Sequence, residues 1–166
     1  MNVSIHSILL GVDNVYIIKG EKTIIIDSGD AGRGKRFAKV LEKLSIKPED
    51  IKLIILTHGH WDHIGSAKEI KEMTGAKIAL HDKEKDWLEK SLRPLPPALT
   101  IWGKILTVFM KLSMPTIHVP AAKVDIVLGN GEFPLAEYGI PGKIIYTPGH
   151  SMGSVSVLLD TGEAFV

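Results

Sequence analysis

The sequence predicts an α/β fold, on three observations. β-branched runs alternate with stretches whose apolar residues recur at helical spacing. Short, mostly apolar runs are followed at once by polar loops, as in strands buried on both faces of an open sheet. The chain has 166 residues, 45% of them hydrophobic and 23% charged. That is enough for one core burying roughly 70% of the unfolded surface, and too apolar for global disorder.

The elements follow in chain order. A terminal strand holds His6. Val15 to Ile18 and Thr23 to Ile26 are β-branched runs joined by hairpin chemistry, Lys19-Gly20-Glu21-Lys22. A glycine-rich loop spans Gly29 to Gly34. Phe37, Val40, Leu41 and Leu44 then predict an amphipathic helix over Lys35 to Leu44. Ile51 to Leu56 predicts a buried strand, with the polar segment Thr57 to His63 directly after it. Ser66 to Thr74 predicts a second helix stopped by Gly75, and Lys77 to Leu80 another strand. Asp82 is expected to cap a third helix running to Leu92. Prolines bracket the segment at about 93–119, where Trp102, Ile105, Leu106, Phe109 and Leu112 form an apolar stripe. It reads as an inserted amphipathic helix within a single domain over residues 1–166. Gly129-Asn130-Gly131 predicts a hairpin between Val124 to Leu128 and Glu132 to Leu135. Lys143 to Thr147 and Ser154 to Leu159 are strands on either side of a second polar loop. Ala164-Phe165-Val166 starts one more, which reads as an unfinished hairpin of a longer protein, or as a short edge strand.

Composition closes off several function classes. The chain has 20 basic and 19 acidic residues, a net charge of +1, which leaves no electrostatic footprint for nucleic acid. It has no cysteine, so a disulfide framework, a thiolate nucleophile and a Cys-ligated zinc ribbon are excluded. Any bound metal must be held by His, Asp or Glu. No Lys or Arg precedes the first apolar run, which argues against a secretory signal. No apolar stretch reaches the ~18 residues of a spanning helix. The expectation is a cytoplasmic protein without stable membrane insertion.

Chemistry concentrates in His58-Gly59-His60-Trp61-Asp62-His63, where four of six residues are metal-ligand types at the end of a buried strand. His58 and His60 are two apart, so an extended backbone sends both rings to one side. Imidazole and carboxylate donors suit zinc, and also iron or manganese. A second loop, Pro148-Gly149-His150-Ser151-Met152-Gly153-Ser154, follows a short apolar strand expected at the same end of the sheet. Its His150 would add a third imidazole and leave one coordination position open, as in catalytic zinc. Asp27, after Ile24-Ile25-Ile26, is either a turn-former or a carboxylate that orients a ligating ring. His6, His81 and His118 read as ordinary surface or core histidines.

These motifs resemble those of the metallo-β-lactamase superfamily. Thr57 to His63 is similar to its His-x-His-x-Asp-His signature, Asp27-Ser28-Gly29 to its Asp-Thr-Gly, and Pro148 to Ser154 to its next His motif. The resemblance runs from about Val3 to the last residue, with the glyoxalase II-like and lactonase-like hydrolase branches nearest. Retained His63 and the missing signal argue against an antibiotic-degrading role. The resemblance implies an αββα sandwich, incomplete at its C-terminus, with two metal ions at one sheet edge. His58, His60 and His150 would hold the first, and Asp62 and His63 the second. A metal-bound hydroxide would attack an ester, thioester, lactone or related bond of a small-molecule substrate, with Asp62 also handling the proton. The family's bridging Asp and final His have no counterpart here, so this chain's activity is expected to be impaired. Two alternatives stand beside this: an iron-dependent redox enzyme on the same fold, and a non-catalytic metal-binding module. The segment at about 93–119 could pack on the body, act as a lid, form a homodimer or lie on a membrane surface.

Overall fold

In the computed structural model, residues 3–92 and 118–166 are described, with positions 102 and 108 between them. Most of the amphipathic segment at about 93–119 therefore lies outside the described residues; within it, Trp102 and Val108 are exposed.

Two sheets stack face to face. The first has six strands in chain order: β1 (Ser4–Leu9), β2 (Asn14–Lys19), β3 (Thr23–Ile26), β4 (Ile51–Ile55), β5 (Lys77–His81) and β6 (Ile126–Leu128). The first three are antiparallel, and β3 to β6 are parallel. The second sheet is antiparallel. It joins β7 (Phe133–Pro134), β8 (Gly142–Tyr146), β9 (Val155–Leu159) and β10 (Ala164–Phe165). Helices α1 (Gly34–Leu44), α2 (Trp61–Ile64), α3 (Ala67–Thr74) and α4 (Lys85–Glu89) cover the other face of the six-stranded sheet.

The apolar runs explain this layering. Successive side chains of a strand point to opposite faces. Ile25 and Ile54 thus enter the core against Phe37, Leu41, Ile70 and Leu88 of the helices. Ile24, Ile26, Leu53 and Ile55 enter a second core, against Leu135, Ile144, Val155 and Val157. A strand wedged between two cores needs apolar residues on both faces, which is why β3 and β4 show no polar alternation. Three of the four layers of the expected sandwich are present among the described residues. None of their helices is long and apolar enough to cross a membrane.

Three local expectations are corrected. Gly129-Asn130-Gly131 does not close a hairpin: β6 pairs with β5 in the first sheet and β7 with β8 in the second. The turn carries the chain from one sheet to the other, and Asn130 Oδ1 lies 3.2 Å from His81 Nε2. The third helix does not run to Leu92 from an Asp82 cap. A 3₁₀ turn, Asp82–Glu84, precedes α4, and His81 Nδ1 accepts the Lys83 N–H. The strand leading to His150 belongs to the second sheet, not to the sheet that carries His58.

Candidate metal centre

Parallel register puts the chemistry at one edge of the sandwich. Ile26 pairs with Ile55, so β3 and β4 end together and release Asp27 and the Thr57 to His60 loop side by side. The backbone N–H of Asp27 donates to the Ile55 carbonyl at 2.8 Å. From the opposite sheet, the Val155 N–H donates to the Thr57 carbonyl at 2.9 Å. That bond ties the His150 loop to the His58 loop across the two layers.

His58, His60 and His150 meet there. One ring nitrogen from each lies within 4.8 Å of the others. The rings stand edge-on to one another, with centroids 4.7 Å apart for His58–His60 and for His58–His150, and 4.8 Å for His60–His150. His150 Nε2 is 3.0 Å from His60 Nδ1. Burial, and then the neighbouring His63, His60 and His150, push His58 down to about 2. Burial and His150 also lower His60. Both rings are therefore neutral at pH 7 and offer lone pairs.

The buried network behind the rings fixes their orientation. Three donors converge on the Asp27 carboxylate: the Thr57 N–H at 2.8 Å, the Thr57 hydroxyl at 2.9–3.0 Å, and His63 Nδ1 at 2.9 Å. Burial pushes the Asp27 carboxyl up, against these hydrogen bonds. With its one proton given to Asp27, the Thr57 hydroxyl accepts from His58 Nδ1 at 3.0 Å. This network assigns the proton of His58 to Nδ1 and leaves Nε2 bare. His58 Nε2 is buried and has no hydrogen-bond partner. A buried polar atom without a partner is costly, and a cation among the three imidazoles would remove that cost. The donor set thus fits a divalent ion.

Asp62 and His63 lie on the short helix α2, whose N-cap is His60. They form a second potential donor group together with Asp13, again with ligand atoms within 4.8 Å of one another. His63 Nε2 is 2.5 Å from Asp13 Oδ2. Burial disfavours a charged His63, but Asp27, Asp13 and Asp62 together outweigh it and raise the ring's affinity for a proton. A cleft of about 520 Å³ opens onto both groups, lined by Asp13, Thr57, His58, His63 and His150 among others.

All five predicted ligand-type residues are therefore at this edge, in two groups. Asp27 combines both expected roles. It adopts a left-handed backbone with φ 62° at the end of β3, and its carboxylate holds Thr57 and His63. Asp13 and Thr57 were missed. Asp13 sits between β1 and β2 and reads in sequence as turn chemistry. Thr57 is the first polar residue after a buried run, and that position is the signal that could have found it. His81 is structural: it is buried and stacks on Tyr146 with centroids 4.6 Å apart. His6 lies on β1, and His118 is exposed.

The chain is similar to known proteins over most of its length. Residues 9–163 match the sequence profile of the metallo-beta-lactamase superfamily. A probable metallo-hydrolase of Methanocaldococcus jannaschii is 33% identical over 147 residues, covering 89% of this chain and 62% of that protein. A metallo-beta-lactamase fold-containing protein of Sulfurisphaera tokodaii is 34% identical over 166 residues, covering 94% and 59%. Among solved structures, the subclass B3 metallo-beta-lactamase BJP-1 of Bradyrhizobium japonicum superposes with a TM-score of 0.65 at 28% identity, covering 91% of this chain and 53% of that one. The chain thus spans about three-fifths of the length of these curated relatives. With residues 9–163 of the 166 matched to its profile, and the chain's own histidine motifs gathered at one sandwich edge, the chain belongs to the metallo-beta-lactamase superfamily.

Proposed function

We propose that the protein is a metal-dependent hydrolase of small molecules carrying an ester, thioester or lactone bond. The observation that carries this reading is the bare, buried Nε2 of His58 facing the rings of His60 and His150. Zinc is the proposed ion, held by His58, His60 and His150. Asp62 and His63, with Asp13, would hold a second. A divalent cation supplies a lowered pKa for bound water and polarises the bond under attack.

The chain's own residues do the rest. Thr57 and Asp27 hold His58 in the tautomer that presents Nε2. Asp27 orients His63 through its Nδ1. Asp62 would be a ligand, and would take the proton of the attacking water and pass it to the leaving group. The cleft between the two sheets receives the acyl portion of the substrate.

The test is metal content followed by hydrolysis. The purified chain, refolded with zinc and dialysed, should hold at least one equivalent by ion analysis, and His58→Ala should lose it. Hydrolysis of p-nitrophenyl acetate, an acyl thioester and a simple γ-lactone should be detectable for at least one substrate, and His150→Ala should abolish it. A small fraction of an equivalent bound, unchanged in His58→Ala, would refute the reading.

A further inference from the structure

Glu84 lies outside the ligand motifs and is wholly buried, with 0% exposure. It ends the 3₁₀ turn that follows β5. Its two carboxylate oxygens are used separately. Oε2 accepts the backbone N–H of Gly59 at 2.5 Å, and Oε1 accepts the backbone N–H of Gly153 at 2.8 Å. Gly59 stands between His58 and His60, and Gly153 lies in the turn Ser151–Ser154 that directly follows His150. One carboxylate thus clasps both loops that present the three imidazoles, one loop from each sheet.

Both donors are glycines for a steric reason. A Cβ on Gly153 would fall 2.7 Å from Glu84 Cγ, and one on Gly59 would fall 2.6 Å from Trp87 Cε3 and 3.2 Å from Glu84 Oε2. The Trp87 ring also stacks on His60, with centroids 5.9 Å apart at 20°. The turn between β5 and α4 therefore meets both histidine loops at contact distance. A buried carboxylate is costly unless its oxygens are hydrogen-bonded. Here the two bonds that satisfy it bind one ligand loop to the other.

We propose that Glu84 is a positioning residue: by clasping Gly59 and Gly153 it sets the distance between the His58/His60 loop and the His150 loop, and hence the affinity and geometry of the three-imidazole cation position. The proposal rests on the reading that these imidazoles bind a divalent ion. It adds a residue that touches neither ion nor substrate. Loss of an outer hydrogen-bond partner of a metal site typically costs about 10–100-fold in metal affinity.

The test uses cobalt(II), whose visible absorption reports coordination geometry, and zinc in competition with a chromophoric chelator. Wild type is titrated first. Failure of wild type to bind either ion overturns the hydrolase reading and this proposal with it. If wild type binds, Glu84→Gln, which keeps the shape but leaves only one acceptor oxygen, should lose about 10–100-fold in affinity. Its cobalt bands should also weaken and shift. Gly153→Ala, which wedges the clasp open without altering any charge or ligand, should move both readouts the same way. It decides the matter if Glu84→Gln does not fold. Leu41→Ala, in the helix-side core, is the stability control. It should lower the melting temperature and leave cobalt affinity and spectrum within about twofold of wild type. A folded Glu84→Gln with wild-type affinity and spectrum overturns the proposal. So does an equal loss of affinity in Leu41→Ala, because general destabilisation then explains the effect.

Discussion

Replacing Thr57 with Val removes one oxygen from the network behind the metal centre and little else. The Thr57 hydroxyl is donor to Asp27 at 2.9–3.0 Å and acceptor for His58 Nδ1 at 3.0 Å. Valine keeps the volume and the backbone N–H to Asp27, which stays at 2.8 Å. It leaves His58 Nδ1–H without an acceptor in a site only 6% exposed. An unsatisfied buried donor costs about 1–3 kcal/mol, and the ring can escape that cost by turning or by moving its proton to Nε2. Either escape withdraws the lone pair that faces the cation. The expected loss in zinc affinity is about 10–100-fold, equivalent to about 1.4–2.8 kcal/mol. Thr57→Ser retains the hydroxyl and should stay within about threefold of wild type. Competition titration of zinc against a chromophoric chelator measures all three proteins, with circular dichroism confirming the fold. Wild-type affinity in a folded Thr57→Val would refute the tautomer argument.

Four further outcomes are expected. In chelator, stability should fall as pH drops below 6.5, because His58 is held down to about 2 while the unfolded chain takes up its proton. The sign follows from a depressed histidine: its contribution is fully present above 6.5 and is lost at about 1.4 kcal/mol per pH unit on acidification. Denaturant unfolding should show that slope in wild type and a shallower one in His58→Gln, where the lowered His60 supplies what remains. Asp13→Asn should cost the second equivalent of zinc and leave the first, as read by ion analysis at fixed excess metal. Ile25→Ala and Ile24→Ala empty the helix-side and inter-sheet cores respectively, and each should cost about 2–5 kcal/mol in chemical denaturation. Zinc at 100 times its dissociation constant should stabilise wild type by about 2.7 kcal/mol, and EDTA should abolish that gain.

Much of this was legible because the informative contacts are short in sequence. His58, His60, Asp62 and His63 sit within six residues, and an extended segment running into a helix can present them together only in a few ways. The strands β3 and β4 were legible for a related reason: a run flanked by two cores cannot hide its lack of polar alternation. Other features depend on partners that local chemistry does not name. Asn-Gly reports that the chain reverses and says nothing about which sheet receives it, so the turn at 129–131 was read as a hairpin. Asp82 has the chemistry of a cap, but the His81 ring, pinned by stacking on Tyr146, reaches the Lys83 N–H instead. Asp13 and Glu84 are common surface types in isolation, and only the folded chain shows where they point.

The Val155 N–H bond to the Thr57 carbonyl crosses from one layer of the sandwich to the other beside the imidazoles. Because the donors come from both layers, any sliding or yawning of one slab against the other spreads them apart. An ion held by both layers would therefore couple its release to their separation. Solvent exchange at the Val155 amide would serve as a clock for it, running slow while the ion is seated and fast once it has left.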